Sequence, residues 1–220
     1  MCRGQDYCTE LALDTLDWSK KSPLQPPEWF DHEIDLFEYS VEIFIRGDRD
    51  ASLSCIAKIR TEEMTDWFIE HGQMSGRHRA RKLNIPAPDE IPKELRDPVR
   101  SPKKLQEQVF KRDGYRCRYC GQRLISQKFM RAFIKELNSP TFQRGATNLG
   151  THGIIHATWP VADHIKPWNY GGSTSMENLV SSCAACNYGK DGYTCTQLGI
   201  ADPRLFEPEA DEWDGLDSKL

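Results

Sequence analysis

Residues 161–192 read VADHIKPWNYGGSTSMENLVSSCAACNYGKDG, and the fold turns on how that stretch is parsed. Val161 and Ala162 lead into Asp163-His164, which predicts a strand ending at the acidic–imidazole pair. Gly171-Gly172 lets the chain turn back sharply, because glycine adopts backbone angles closed to other residues. Leu179 to Ser182 is a second strand, and Cys183-x-x-Cys186 opens a helix at about Ala184 that carries Asn187 in its first turn. The unit is therefore strand, loop, strand, helix.

That unit has a chemical reading. Neighbouring residues at a strand end point to opposite faces, so Asp163 and His164 can serve one site from two directions. A hairpin of this size is expected to bring Asp163 and Asn187 close enough to share one cation. Carboxylate and amide oxygens suit a hard ion such as magnesium or manganese. The chemistry that fits is phosphodiester hydrolysis, in which a neutral His164 takes a proton from the attacking water and the cation stabilises charge on the phosphate and the leaving oxygen. A lone Asp-His pair is more often structural than catalytic. The argument rests on its joint occurrence with the double glycine, Asn178, the cysteine knuckle and Asn187.

Working upstream, RDGYRCRYCGQ supplies a second knuckle, Cys117-x-x-Cys120, separated by 62 residues from Cys183-x-x-Cys186. Two such knuckles complete a closed four-sulfur site for structural zinc. A redox pair would stand at a helix start in a βαβ setting, and an iron–sulfur cluster would want a different run of cysteines. Cys2, Cys8, Cys55 and Cys195 remain outside this set. Between the knuckle and the Asp-His strand, a helix is expected over Ser126 to Leu137, a loop over 138–152, and the first strand from Ile154 to Ala162. The insertion, about 124–152, either extends a DNA-contacting face through Lys128, Arg131, Lys135 and Arg144 or is a packing helix. SPKKLQEQVFKR predicts a helix from Pro102 to Arg112 with Ser101 as its N-cap.

Further upstream, apolar positions at helical spacing predict helices from Asp31 to Gly47, Ala51 to Ile59 and Thr61 to Gly72. Pro86, Pro88, Pro92, Pro98 and Pro102 then space out an extended linker over about 84–101. The expected organisation is a helical module with its linker (1–100), a catalytic domain (102–206) and an acidic, frayed tail (207–220). The fold class is α+β.

At 220 residues the chain can bury a substantial core, and its formal net charge of −4 is unevenly spread. Residues 1–76 net −9, residues 77–135 net +11 and residues 136–220 net −6. A basic middle between acidic ends suggests a surface for a polyanion; the alternative is a solvated helix face. RHRARK at 77–82 places Arg77, Arg79, Arg81 and Lys82 as candidate phosphate contacts. No apolar run is long enough to span a membrane, and the N-terminus lacks a signal-peptide layout, so a cytoplasmic location is expected. Reduced thiols in that compartment agree with metal ligation.

DHIKPWNYGG…ENLVSSCAACNYGK resembles the core of the HNH endonucleases, the ββα-metal or His-Me finger group, in the subclass with a four-cysteine zinc. RDGYRCRYCG is similar to the segment that supplies that group's first knuckle. The resemblance covers roughly residues 102–200 and implies a small zinc-stapled ββα-metal fold. It implies His164 as general base, Asp163 and Asn187 as ligands of the catalytic cation, and Asn178 as the residue that fixes the His-bearing loop. Lys190 falls where the family carries a basic residue near substrate phosphate, and Lys166 is a further candidate contact. Asn187 departs from the histidine commoner at its position, which implies a weaker ligand. Asp191, one turn on, is either a further ligand or a solvated helix end. The expectation is a metal-dependent DNA endonuclease, used in restriction-type defence or phage DNA processing, whose helical module serves target binding or homodimerisation. A zinc module that only binds nucleic acid, and an RNA-cleaving nuclease, are the competing expectations.

Overall fold

The computed structural model describes residues 26–71, 88–209 and 211–219. Arg77, Arg79, Arg81 and Lys82, like Cys2 and Cys8, lie outside the described residues.

Three helices open the described chain: α1 (Trp29–Ile45), α2 (Arg49–Ile56) and α3 (Thr61–His71). Phe30, Ile34, Phe37 and Val41 recur at helical spacing along α1 and are all buried. Asp48 caps α2 by accepting from the Ala51 amide at 2.9 Å. After residues 88–101 comes a turn of 3-10 helix at Pro102–Lys104 and then α4 (Gln106–Arg112). Ser101 makes no side-chain cap there, so the expected helix begins instead as that tighter turn.

The insertion holds α5 (Gln127–Leu137), capped by Ser126, whose hydroxyl accepts from the Phe129 amide. Its Phe129, Met130, Phe133 and Leu137 are buried while Lys128, Arg131 and Lys135 stay exposed. Phe133 meets Phe37 of α1 edge to face, with ring centroids 5.5 Å apart, and Phe44 at 5.3 Å. Phe142 stacks on Phe37 at 5.4 Å. The N-terminal helices and the insertion thus share one apolar cluster, which also reaches Ile154, Leu179 and Cys186.

The stretch expected as a strand from Ile154 divides in two. Residues Gly153–Thr158 form helix α6, and the strand β1 is confined to Pro160–His164. An apolar run buried on every side carries no periodicity that separates helix from strand. Here His152 decides it: its Nδ1 accepts from the Ile154 amide at 3.3 Å and starts the helix. Gly153 is required by the packing, since a Cβ there would stand 2.6 Å from both Met64 Cβ and the Thr61 carbonyl of α3.

β1 pairs antiparallel with β2 (Leu179–Cys183) in a two-stranded sheet, His164 opposite Leu179 and Pro160 opposite Cys183. Helix α7 (Ala184–Lys190) follows directly, then α8 (Cys195–Leu198) with a Thr194–Gln197 capping box. α4 is tied to the hairpin by two adjacent side chains. Arg112 donates to the carbonyls of Met176 and Leu179, and the fully buried Asp113 accepts from the Ser181 amide at 2.7 Å.

The C-terminal segment is docked rather than frayed. Trp213 Nε1 donates to the Leu124 carbonyl at 2.8 Å, Leu216 is buried, and Asp211 pairs with Arg116. An acidic composition suggests solvation, but Trp213 and Leu216 join the apolar cluster, Glu209 and Asp211 pair with Arg116, and Asp214 accepts from the Ser218 amide. Among the described residues no helix is long and apolar enough to cross a membrane.

Candidate active site and metal centre

Cys117, Cys120, Cys183 and Cys186 come together, with all four sulfurs within 4.8 Å of one another. Cys117 and Cys120 stand on a turn closed by the Gly121 amide, which donates to the Cys117 carbonyl at 2.9 Å. The other pair stands at the junction of β2 and α7, and the Arg118 amide joins the two by donating to the Ser181 carbonyl at 2.8 Å. A tetrahedral zinc with Zn–S bonds of about 2.3 Å needs sulfurs about 3.8 Å apart. Cys120 and Cys183 stand at 3.8 Å. Burial pushes the Cys186 thiol well up, and the neighbouring sulfurs push Cys120 the same way. A divalent cation offsets that cost by stabilising thiolates, so the donor set fits a structural zinc. Cys195 begins α8 and is not one of the four.

Asp163 and His164 border one cavity of about 330 Å³, together with Arg96, Arg100, Trp168, Asn169 and Asp191. Asp163 is buried, and its Oδ2 accepts from the Tyr119 hydroxyl at 2.6 Å and lies 3.2 Å from Lys190 Nζ. Burial, then the Asp163 charge, holds the Tyr119 phenol well above its usual value, so it remains a donor. Oδ1 of Asp163 has no protein hydrogen bond among the described residues. His164, half-buried on the other side, places Nε2 2.9 Å from Thr174 Oγ1. Burial holds its imidazole below the ordinary histidine value; Asp163 opposes that shift and Lys190 reinforces it.

Asn178 is buried between the two arms of the loop. Its Nδ2 donates to the carbonyls of Lys166 (3.0 Å) and Ser173 (2.9 Å), and its Oδ1 accepts from the Lys166 amide at 2.9 Å. Gly172 makes this possible, because a Cβ there would overlap the Lys166 carbonyl and press on Asn178 Nδ2. Asn187 lies one turn before Lys190 on α7, on the helix face shared by residues three apart. It is not one of the residues lining the cavity, whereas Asp191 is. The Asp191 amide donates to the Asn187 carbonyl at 2.9 Å, and Asp191 itself has φ +50.

Lys190 requires a correction. It was expected near substrate phosphate, yet its side chain is 1% exposed and its ammonium is held by Asp163 and by the His164 carbonyl at 2.8 Å. A short helix that folds back onto the hairpin turns this lysine inward, where it balances the Asp163 charge. Lys166 is exposed. Two contributors escaped the sequence reading. Tyr119 had a signal, its place between the knuckle cysteines. Thr174 had none beyond its place in the Ser/Thr-rich turn.

The comparisons with known proteins agree with this geometry over one segment. Residues 159–191 match the family model for HNH endonuclease. No curated protein and no solved structure matches the chain. Over residues 159–191 the chain is therefore similar to the HNH endonucleases, and that segment sits beside a cluster of four cysteines that could hold a metal ion.

Proposed function

We propose that the chain is a metal-dependent endonuclease that hydrolyses phosphodiester bonds in DNA. The observation that carries this reading is that Asp163 and His164 border one cavity, each with one polar atom committed to the protein and the other left for substrate. Asp163 offers Oδ1, and Asn187 is the second ligand of a magnesium or manganese ion, with Asp191 at the cavity wall. That ion, when bound, stabilises charge on the phosphate and the departing oxygen. His164, kept neutral by its partial burial, takes the proton of the attacking water through Nδ1. Asn178 holds the loop that carries His164 through its three backbone bonds. The four cysteines hold a structural zinc that keeps the sheet, α7 and the 117–120 turn in register.

Contacts to the nucleic-acid backbone fall to Arg100 and Lys166, both exposed beside the loop, and to Lys128, Arg131 and Lys135 on the open face of α5. Restriction-type defence and phage DNA processing both fit such an enzyme. The N-terminal helices, through contacts of their own, serve target binding or homodimerisation.

The test is incubation of the purified chain with supercoiled plasmid in magnesium, manganese and EDTA, beside a matched RNA duplex. Nicking that needs the ion and is abolished in His164→Ala is the expected result. A His164→Ala protein that still nicks would remove His164 from the chemistry. Cleavage confined to RNA would replace the substrate, and binding without cleavage would favour a zinc-stabilised nucleic-acid-binding module.

A further inference from the structure

Residues 90–99, whose proline-rich composition reads as a linker, lie against the loop that carries His164. The Ile91 amide donates to the Asn169 carbonyl at 3.0 Å, and Asn169 Nδ2 donates to Glu90 at 3.0 Å. Trp168 Nε1 donates to the Asp97 carbonyl at 2.8 Å, and the guanidinium groups of Arg96 and Arg100 lie over its ring at 4.9 and 5.3 Å. The Asp97 carboxylate accepts from two amides, Val99 at 2.8 Å and Thr174 at 2.7 Å. It therefore joins its own segment to the far arm of the loop, 77 residues along the chain.

The consequence falls on one proton. Thr174 Oγ1 donates its only hydrogen to the Val99 carbonyl, which can only accept. The same oxygen lies 2.9 Å from His164 Nε2, so towards the imidazole it has only a lone pair to offer. Nε2 must then carry the hydrogen, and in the neutral ring Nδ1 is left as the acceptor. Nδ1 has no protein partner among the described residues.

We infer that Asp97 and Thr174 are positioning residues: by fixing the Thr174 hydroxyl against Val99 they hold His164 in the Nε2–H tautomer, which presents Nδ1 to the attacking water. Neither residue touches the reacting atoms. Asp97 and Val99 lie outside the matched segment 159–191, so this part of the site is supplied by the chain that precedes the nuclease fold. The inference rests on the nuclease reading only in giving Nδ1 its task; the tautomer itself follows from the hydrogen bonds.

The experiment reads the tautomer directly. Long-range proton–nitrogen NMR of the nitrogen-labelled, zinc-loaded full chain, with His164 assigned by comparison with His164→Ala, is expected to show Nε2 protonated and Nδ1 bare. Thr174→Val should mix the tautomers and lower kcat with little change in KM, by an amount that stays below the about 10²–10⁴-fold attributed to a general base. Thr174→Ser, which keeps the hydroxyl, should restore both readouts, and Asp97→Ala should resemble Thr174→Val in milder form. Zinc content and thermal melting identify any variant that fails to fold. A wild-type imidazole protonated on Nδ1, or a folded Thr174→Val protein with an unchanged tautomer, overturns the inference. The NMR reads whether or not the protein cuts, so a wild-type chain that shows the Nε2–H form but cleaves no nucleic acid counts against the nuclease reading alone.

Discussion

The Tyr119 hydroxyl donates to Asp163 Oδ2 at 2.6 Å, across 44 residues of chain. Tyr119 is buried and stands between Cys117 and Cys120, so the turn that carries two of the four clustered cysteines also orients the Asp163 carboxylate. On the proposed function, the cysteine cluster and the catalytic cation's site meet at one phenol.

Tyr119→Phe should therefore keep the fold and weaken the second site. Losing a hydrogen bond to a charged group costs about 1.5–3 kcal/mol, which urea unfolding will register. Removing a partner that orients a ligand lowers metal affinity by about 10–100-fold, which manganese titration by calorimetry will register. Unchanged manganese affinity would show that Asp163 needs no such guide.

Removing the structural metal should have a larger effect. Each chain is expected to hold one tightly bound zinc, and zinc binding to such sites contributes apparent free energies of about 10–16 kcal/mol near neutral pH. Cys183→Ser, or exhaustive chelation, should abolish the cooperative thermal transition of residues 102–200. Metal analysis that finds no zinc in the native protein would refute the assignment.

Lys190→Met tests the buried ion pair. Asp163 and Lys190 have side chains 8% and 1% exposed, so deleting the lysine strands a carboxylate in the interior. The expected loss is about 3–5 kcal/mol of stability, measured by urea unfolding. Adding Asp163→Asn should recover part of it, giving a double variant less destabilised than the two single losses together.

Acid should destabilise the protein through His152. Burial, reinforced by the neighbouring His156, lowers its pKa from 6.5 to about 4. The folded state thus prefers the neutral ring. Its contribution is complete above pH 6.5, and it is lost as pH falls towards 4, amounting to roughly 3 kcal/mol. His152→Asn retains an acceptor for the Ile154 amide but cannot titrate, so its unfolding free energy should vary less over that window.

What the sequence showed plainly was local. The double glycine, the second strand and the cysteine opening of α7 are each encoded within a few residues, and the matched segment covers them. Longer-range features were hidden for definite reasons. Ile154 and Ile155 are buried on all sides, which removes the pattern that separates helix from strand. Pro92 and Pro98 signal extended chain, but extended chain packs as readily as it links, and backbone groups such as the Val99 carbonyl carry no signature. Lys190 looked like a surface cation because charge is visible in a sequence and the direction of a helix face is not. Trp213 was overlooked because the acids around it dominate the composition.

The bonds from residues 90–99 to the loop bear on portability. A graft of residues 159–191 into another host would carry Asp163, His164, Asn178 and Asn187 intact. It would leave behind Tyr119, two of the four cysteines, Asp97 and the Val99 carbonyl. The transplanted histidine would be free to exchange its proton between nitrogens, and the aspartate would keep Lys190 but lose the Tyr119 hydroxyl that orients it. The smallest transferable unit is therefore far larger than the recognisable motif, and it begins before residue 90.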